Sequence, residues 1–153
     1  MWLWKKINNT EYYRYSIGEK IRYYQGGLNN SDPKIREKAK TNLYRLNRIA
    51  NGKESSFGKV FMVQDMKFNP RANDTKSRRV VCVGVGNGNM KVIPVRKNKK
   101  MVSLSKFDGN RGININHIHD INLDDVYEKR NFSNVSNDYL TLNEKLELKR
   151  KLN

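Results

Sequence analysis

Phe57-Gly58-Lys59-Val60-Phe61-Met62-Val63-Gln64-Asp65-Met66, then after a polar loop Arg79-Val80-Val81-Cys82-Val83-Gly84-Val85, then Met90-Lys91-Val92-Ile93-Pro94-Val95: these three runs decide how the chain is read. Each is rich in β-branched and aromatic residues, and each is bounded by a turn signal. Asn69-Pro70 and Asn73-Asp74 follow the first run, and Gly86-Asn87-Gly88-Asn89 follows the second as a hairpin turn. Met101 to Ser105 is a weaker fourth strand. The pattern predicts a small, strongly bent antiparallel sheet.

Charge is concentrated on the same region. The chain has 153 residues, a net charge of +16 and a sequence pI near 10.0. Residues 1–55 carry twelve bases and five acids, 56–111 carry thirteen and three, and 112–153 carry six and seven. Eight of the bases in the middle segment form two clusters: Lys76, Arg78 and Arg79 at the mouth of the second strand, and Lys91, Arg96, Lys97, Lys99 and Lys100 along and after the third. A sheet edged with uncompensated cations predicts a polyanion-binding face. Nucleic acid is the first partner class this implies, ahead of an anionic membrane or an acidic protein surface.

Before the sheet, two helices are predicted. Thr10 is placed to cap the first, whose apolar stripe is Tyr13, Ile17, Ile21, Tyr24 and Leu28 and which ends near Gly26-Gly27. Ser31-Asp32-Pro33 opens the second with a capping side chain and Pro at the first helical position. Its stripe is Ile35, Ala39, Leu43, Leu46 and Ala50, and it stops at Asn51-Gly52. The outward faces are expected to carry Arg14, Lys20 and Arg22 on the first helix, and Lys34, Arg36, Lys38, Lys40, Arg45 and Arg48 on the second. Glu37 is the only acid inside the second helix, so Arg45 and Arg48 join the candidate phosphate contacts. The tyrosines of the first helix recur at helical spacing and are read as packing residues. The reading divides the chain into a basic helical hairpin, residues 1–55, and a barrel, residues 56–153.

Other chemistry is thin. Cys82 is the single cysteine and lies mid-strand, so it is read as a core residue rather than a nucleophile, with no disulfide and no cysteine-based metal site. His117, His119 and Asp120 have the composition of a metal site or an acid/base pair, and Asp124, Asp125 and Glu128 that of an acidic cluster. Both are read as structural, the second as a solvated turn or helix start. No metal and no cofactor is expected. The apolar start Met1-Trp2-Leu3-Trp4 is too short for a signal peptide or a membrane span, which predicts a cytoplasmic protein that does not engage a membrane.

The strands also carry a family resemblance. Gly58-Lys59-Val60-Phe61-Met62-Val63, the long loop to Ser77, Arg79 leading an apolar strand, and Lys91-Val92-Ile93-Pro94-Val95-Arg96 together resemble the strands of the MazF/PemK endoribonuclease toxins. Gly112 to Ile121 and the segment from Leu140 through Glu144 to Leu152 are similar to that family's last strands and closing helix. The resemblance covers residues 57–153. It implies an α+β fold: an SH3-like bent antiparallel β-barrel with a C-terminal helix, here preceded by the helical hairpin. It also implies RNA binding with metal-independent endoribonuclease activity, Arg79 as the catalytic residue, an acidic antitoxin-type partner and a homodimer. One departure bears on catalysis. The family's catalytic Thr stands where this chain has Arg96, which binds phosphate but supplies no hydroxyl. The alternative reading is therefore a non-catalytic DNA-binding regulator or accessory factor on the same fold.

Overall fold

The computed structural model describes residues 14–51, 56–69, 76–98, 100–105, 107, 110–129 and 139–153. These form an α+β fold with three α-helices and a curled, five-stranded antiparallel half-barrel. In chain order the elements are α1 (Ile17–Gly27), α2 (Pro33–Ala50), β1 (Val60–Gln64), β2 (Ser77–Gly86), β3 (Asn89–Pro94), β4 (Val102–Ser103), β5 (Gly112–Ile113), β6 (His119–Asn122), β7 (Val126–Glu128) and α3 (Leu142–Leu152). The main sheet runs β6-β3-β2-β1-β7, and β4 pairs with β5 in a second, two-stranded ladder.

The β2–β3 turn forms where the sequence predicts it. Asn87 and Gly88 both take positive φ, 56° and 79°, which is the backbone that this tight hairpin needs. The register slips between Cys82 and Gly84, and the resulting bulge adds to the bend of the long strand β2.

Two apolar layers sandwich the sheet. On one face Phe61, Val63, Val80, Cys82, Met90, Val92 and Val126 meet Ile17 of α1 and Ile49 of α2. On the other, Val60, Val81, Ile93 and Val95 meet Val102, Leu104 and Ile113 of the β4–β5 region and Leu148 of α3. Tyr23, Tyr24, Ala39, Leu43 and Leu46 form a third cluster that joins α1 to α2. Residues on one strand alternate between the first two layers with the period of the pleat.

Helix α2 starts at Pro33 behind an Asp32 cap, as expected, and buries Ala39, Leu43 and Leu46. Three other expectations are corrected. The expected cap Thr10 and Tyr13 lie outside the described residues; the described helix begins at Ile17, where Ser16 and Glu19 form a reciprocal capping box. Arg14 is consequently in the turn before α1, not on its outer face. Lys20, expected outside, is fully buried. Finally, of the acidic cluster, Asp124 and Asp125 sit in a short 3-10 turn as expected, whereas Glu128 lies on an edge strand, Val126–Glu128, beside β1.

The C-terminal helix closes the second layer behind another capping box, Thr141 with Glu144. Glu144 also accepts a hydrogen bond from the Ser105 backbone N–H at 3.0 Å, which fastens the helix start to the loop after β4. At the start of α1, Ser16→Ala should lower stability by about 1 kcal/mol, because it leaves the Glu19 N–H without its cap. Urea denaturation reads this directly. A loss below a few tenths of a kcal/mol would mean that packing alone holds the helix start.

Candidate nucleic-acid interface

The second face of the sheet is only half covered. α3 and the β4–β5 ladder bury Val60, Val81, Ile93 and Val95, but they leave Met62, Gln64, Ser77, Arg79 and Tyr127 unburied. Strand register lines these residues up. Met62 is opposite Arg79 on β2 and opposite Tyr127 on β7, so Tyr127, Met62 and Arg79 make one row across three strands. Gln64 and Ser77 make the next row.

Two clefts open on this surface. The larger, about 520 Å³, is lined by Arg14, Met62, Gln64, Ser77, Arg79, Tyr127, Glu128 and Lys129. The smaller, about 310 Å³, is lined by Met62, Asp65, Lys76, Ser77, Arg78, Arg79, Val95 and Arg111. Met62, Ser77 and Arg79 belong to both, so they form the wall between the clefts. The Arg79 guanidinium lies over the Phe107 ring, 4.3 Å from its centroid, a cation–π contact that holds it in one orientation.

Among the described residues, six cationic side chains and two carboxylates line the clefts, and both carboxylates are ion-paired. Arg78 Nε donates to Asp65 Oδ1 at 2.7 Å, and this contact holds the Asp65 carboxyl below the ordinary range. Glu128 points to the helix side of the sheet, where Lys20 Nζ donates to it at 2.6 Å and Arg45 donates to both oxygens at 2.6 and 2.9 Å. Burial by itself raises the Glu128 carboxyl, but the two bases outweigh it and hold the group below its usual value. Lys20 is pulled down by the same burial, with Glu128 opposing.

Of the residues singled out from sequence, Lys76, Arg78 and Arg79 are brought together here. The second cluster is not. Lys91 is opposite Asp120 of β6 and Gly84 of β2, five residues from Arg79 along β2 and roughly 15 Å away at a strand's rise per residue. Arg96 is half-buried and bridged through its backbone to Gly112, with its charge felt by Asp65 and His119. Lys97 is exposed, Lys100 donates to the Asn110 carbonyl at 2.7 Å, and Lys99 lies outside the described residues. On α2, Arg45 is committed to Glu128 while Arg48 faces outward, its guanidinium 5.8 Å from the Tyr44 ring centroid. Arg111, Lys129, Tyr127 and Met62 were not anticipated, because only strand pairing brings them to the cleft.

The remaining candidates do not line the two clefts. Cys82 is fully buried and its thiol is pushed up to about 12 by burial, so it is no nucleophile. His119 packs edge-on against Phe68, 4.8 Å between ring centroids, and burial lowers its pKa. Asp124 pairs with Arg22 and Asp125 with Lys67. Among the described residues no group of His, Cys, Asp and Glu is placed to hold a metal ion, and no helix is long and apolar enough to cross a membrane. Comparison with protein-family models, curated proteins and solved structures finds no match to this chain.

Proposed function

We propose that this chain is a nucleic-acid-binding protein that grips the phosphodiester backbone of RNA on the open half of its sheet. The reading takes the half-barrel as an SH3-like barrel of MazF/PemK type carrying an added helical hairpin. One observation supports it above the others: among the described residues, six bases line two clefts against two carboxylates, Asp65 and Glu128, and both of these are ion-paired.

A grip is favoured over catalysis for a chemical reason. Transesterification at an RNA phosphate needs an acceptor for the 2′-OH proton. Among the described residues lining the clefts there is no histidine, and Asp65 and Glu128 are held ionised by strong hydrogen bonds to cations. Ser77 supports endoribonuclease activity as a second reading. It shares a strand face with Arg79 two residues away, and so supplies a hydroxyl beside the Arg that the family resemblance makes catalytic.

The test is to incubate the pure protein with long single-stranded RNA and with duplex DNA, with and without EDTA, recording both retention and cleavage. Retention of RNA without cleavage is expected, and Arg79→Ala should weaken it about tenfold, the scale of one charge-assisted contact. Cleavage by the wild type that Arg79→Ala abolishes would instead establish the enzyme reading. Wild-type affinity in both Arg79→Ala and Arg111→Ala would mean that nucleic acid binds elsewhere.

A further inference from the structure

The two clefts that meet at Arg79 differ in chemistry. The smaller holds four bases, Lys76, Arg78, Arg79 and Arg111, whereas the larger adds an aromatic ring, Tyr127, beside the shared Met62, its cross-strand partner. Gln64 stands in the adjacent row opposite Ser77, so an amide with both donor and acceptor capacity borders that apolar floor. Tyr127 and Arg79 are separated by one intervening strand, roughly 10 Å between backbones at ordinary strand spacing. That is the order of the reach from the base of one nucleotide to a phosphate beside it.

We propose that the larger cleft accepts one unpaired nucleobase, stacked on Tyr127 with its edge toward Gln64, while the phosphate beside it rests on Arg79. The inference rests on the nucleic-acid reading above and narrows the ligand to a single strand. A base inside a duplex has both faces covered by its neighbours and its pairing edge occupied, so it has no face to offer a recessed tyrosine. Stacking on an aromatic ring is tolerant of base identity, and the Gln64 amide adds an edge that discriminates between bases.

Fluorescence polarisation tests this with three labelled RNAs of equal length: a single strand, the same sequence as a duplex, and a strand made entirely of abasic nucleotides. The wild type should prefer the intact single strand over both others by about tenfold. Tyr127→Ala should remove most of that preference by weakening the intact strand about tenfold while leaving the abasic strand unchanged, and Tyr127→Phe should behave as wild type. Equal wild-type affinity for all three RNAs would overturn the inference, as would a Tyr127→Ala defect of the same size on intact and abasic strands. If Tyr127→Ala fails to fold, the wild-type comparison of intact and abasic strands still decides. Failure of the parent reading looks different: no RNA is bound at all, or Arg79→Ala and Arg111→Ala both bind every RNA as the wild type does.

Discussion

Glu128→Ala should destabilise the fold by about 3–5 kcal/mol, because it removes the carboxylate to which the buried Lys20 ammonium donates. Lys20 is 0% exposed and Glu128 8%, so water cannot replace the lost partner. Arg45, 42% exposed, can turn toward solvent, which makes Lys20 the residue that carries the cost. The double variant Lys20→Met with Glu128→Gln should recover most of the loss, since it removes the buried charges together. Acid should act in the same direction. Glu128 is held below its ordinary carboxylate value in the fold, so its contribution is fully present above the unfolded-state pKa and is lost as pH falls through the lowered folded value. Urea unfolding of wild type and both variants reads these effects. A single-variant loss under about 1 kcal/mol would show that the cluster is not what ties α1 and α2 to β7.

Raising salt from 50 to 200 mM should weaken binding to single-stranded RNA by roughly three-hundredfold. The estimate takes about six phosphates neutralised by the six cations around the clefts, with the salt slope of a single strand. Each cation removed should flatten that slope by about one phosphate contact, so Arg79→Ala and Arg111→Ala should each give a shallower line than the wild type. Affinity that does not change with salt would rule out backbone recognition and leave docking to a protein surface as the explanation of the charge. An unchanged slope in both variants, alongside a steep wild-type one, would move the site to the outward bases of α2.

Much of the secondary structure was legible because its signals are local. Asp32 followed by Pro33 marks the start of α2, the apolar stripe through Ala39, Leu43 and Leu46 marks its buried face, and Asn87-Gly88 marks the β2–β3 turn; each signal spans a few residues and each element appears where it points. Arg79 was legible as a base within a cationic cluster, but not as the start of its strand, since β2 begins two residues earlier at Ser77 and Arg79 sits inside the ladder opposite Met62. The edge strand β7 was not, because Asp124 and Asp125 just before it mask three residues whose strand character depends on pairing with β1. Lys20 misled for a related reason. A lysine on a helix reads as solvated unless its partner is known, and Glu128 lies 108 positions away. The row of Tyr127, Met62 and Arg79 is the clearest case, since no spacing in the chain relates positions 62, 79 and 127. Sequence by itself determined the elements that carry local signals, α2 and the β2–β3 hairpin among them, and where positive charge is carried, because caps, turns and periodicity act over a few residues. Only the tertiary structure decided which side chains share a cleft, because that depends on hydrogen-bond register between strands far apart in the chain, and a one-residue slip would turn every one of those side chains to the opposite face.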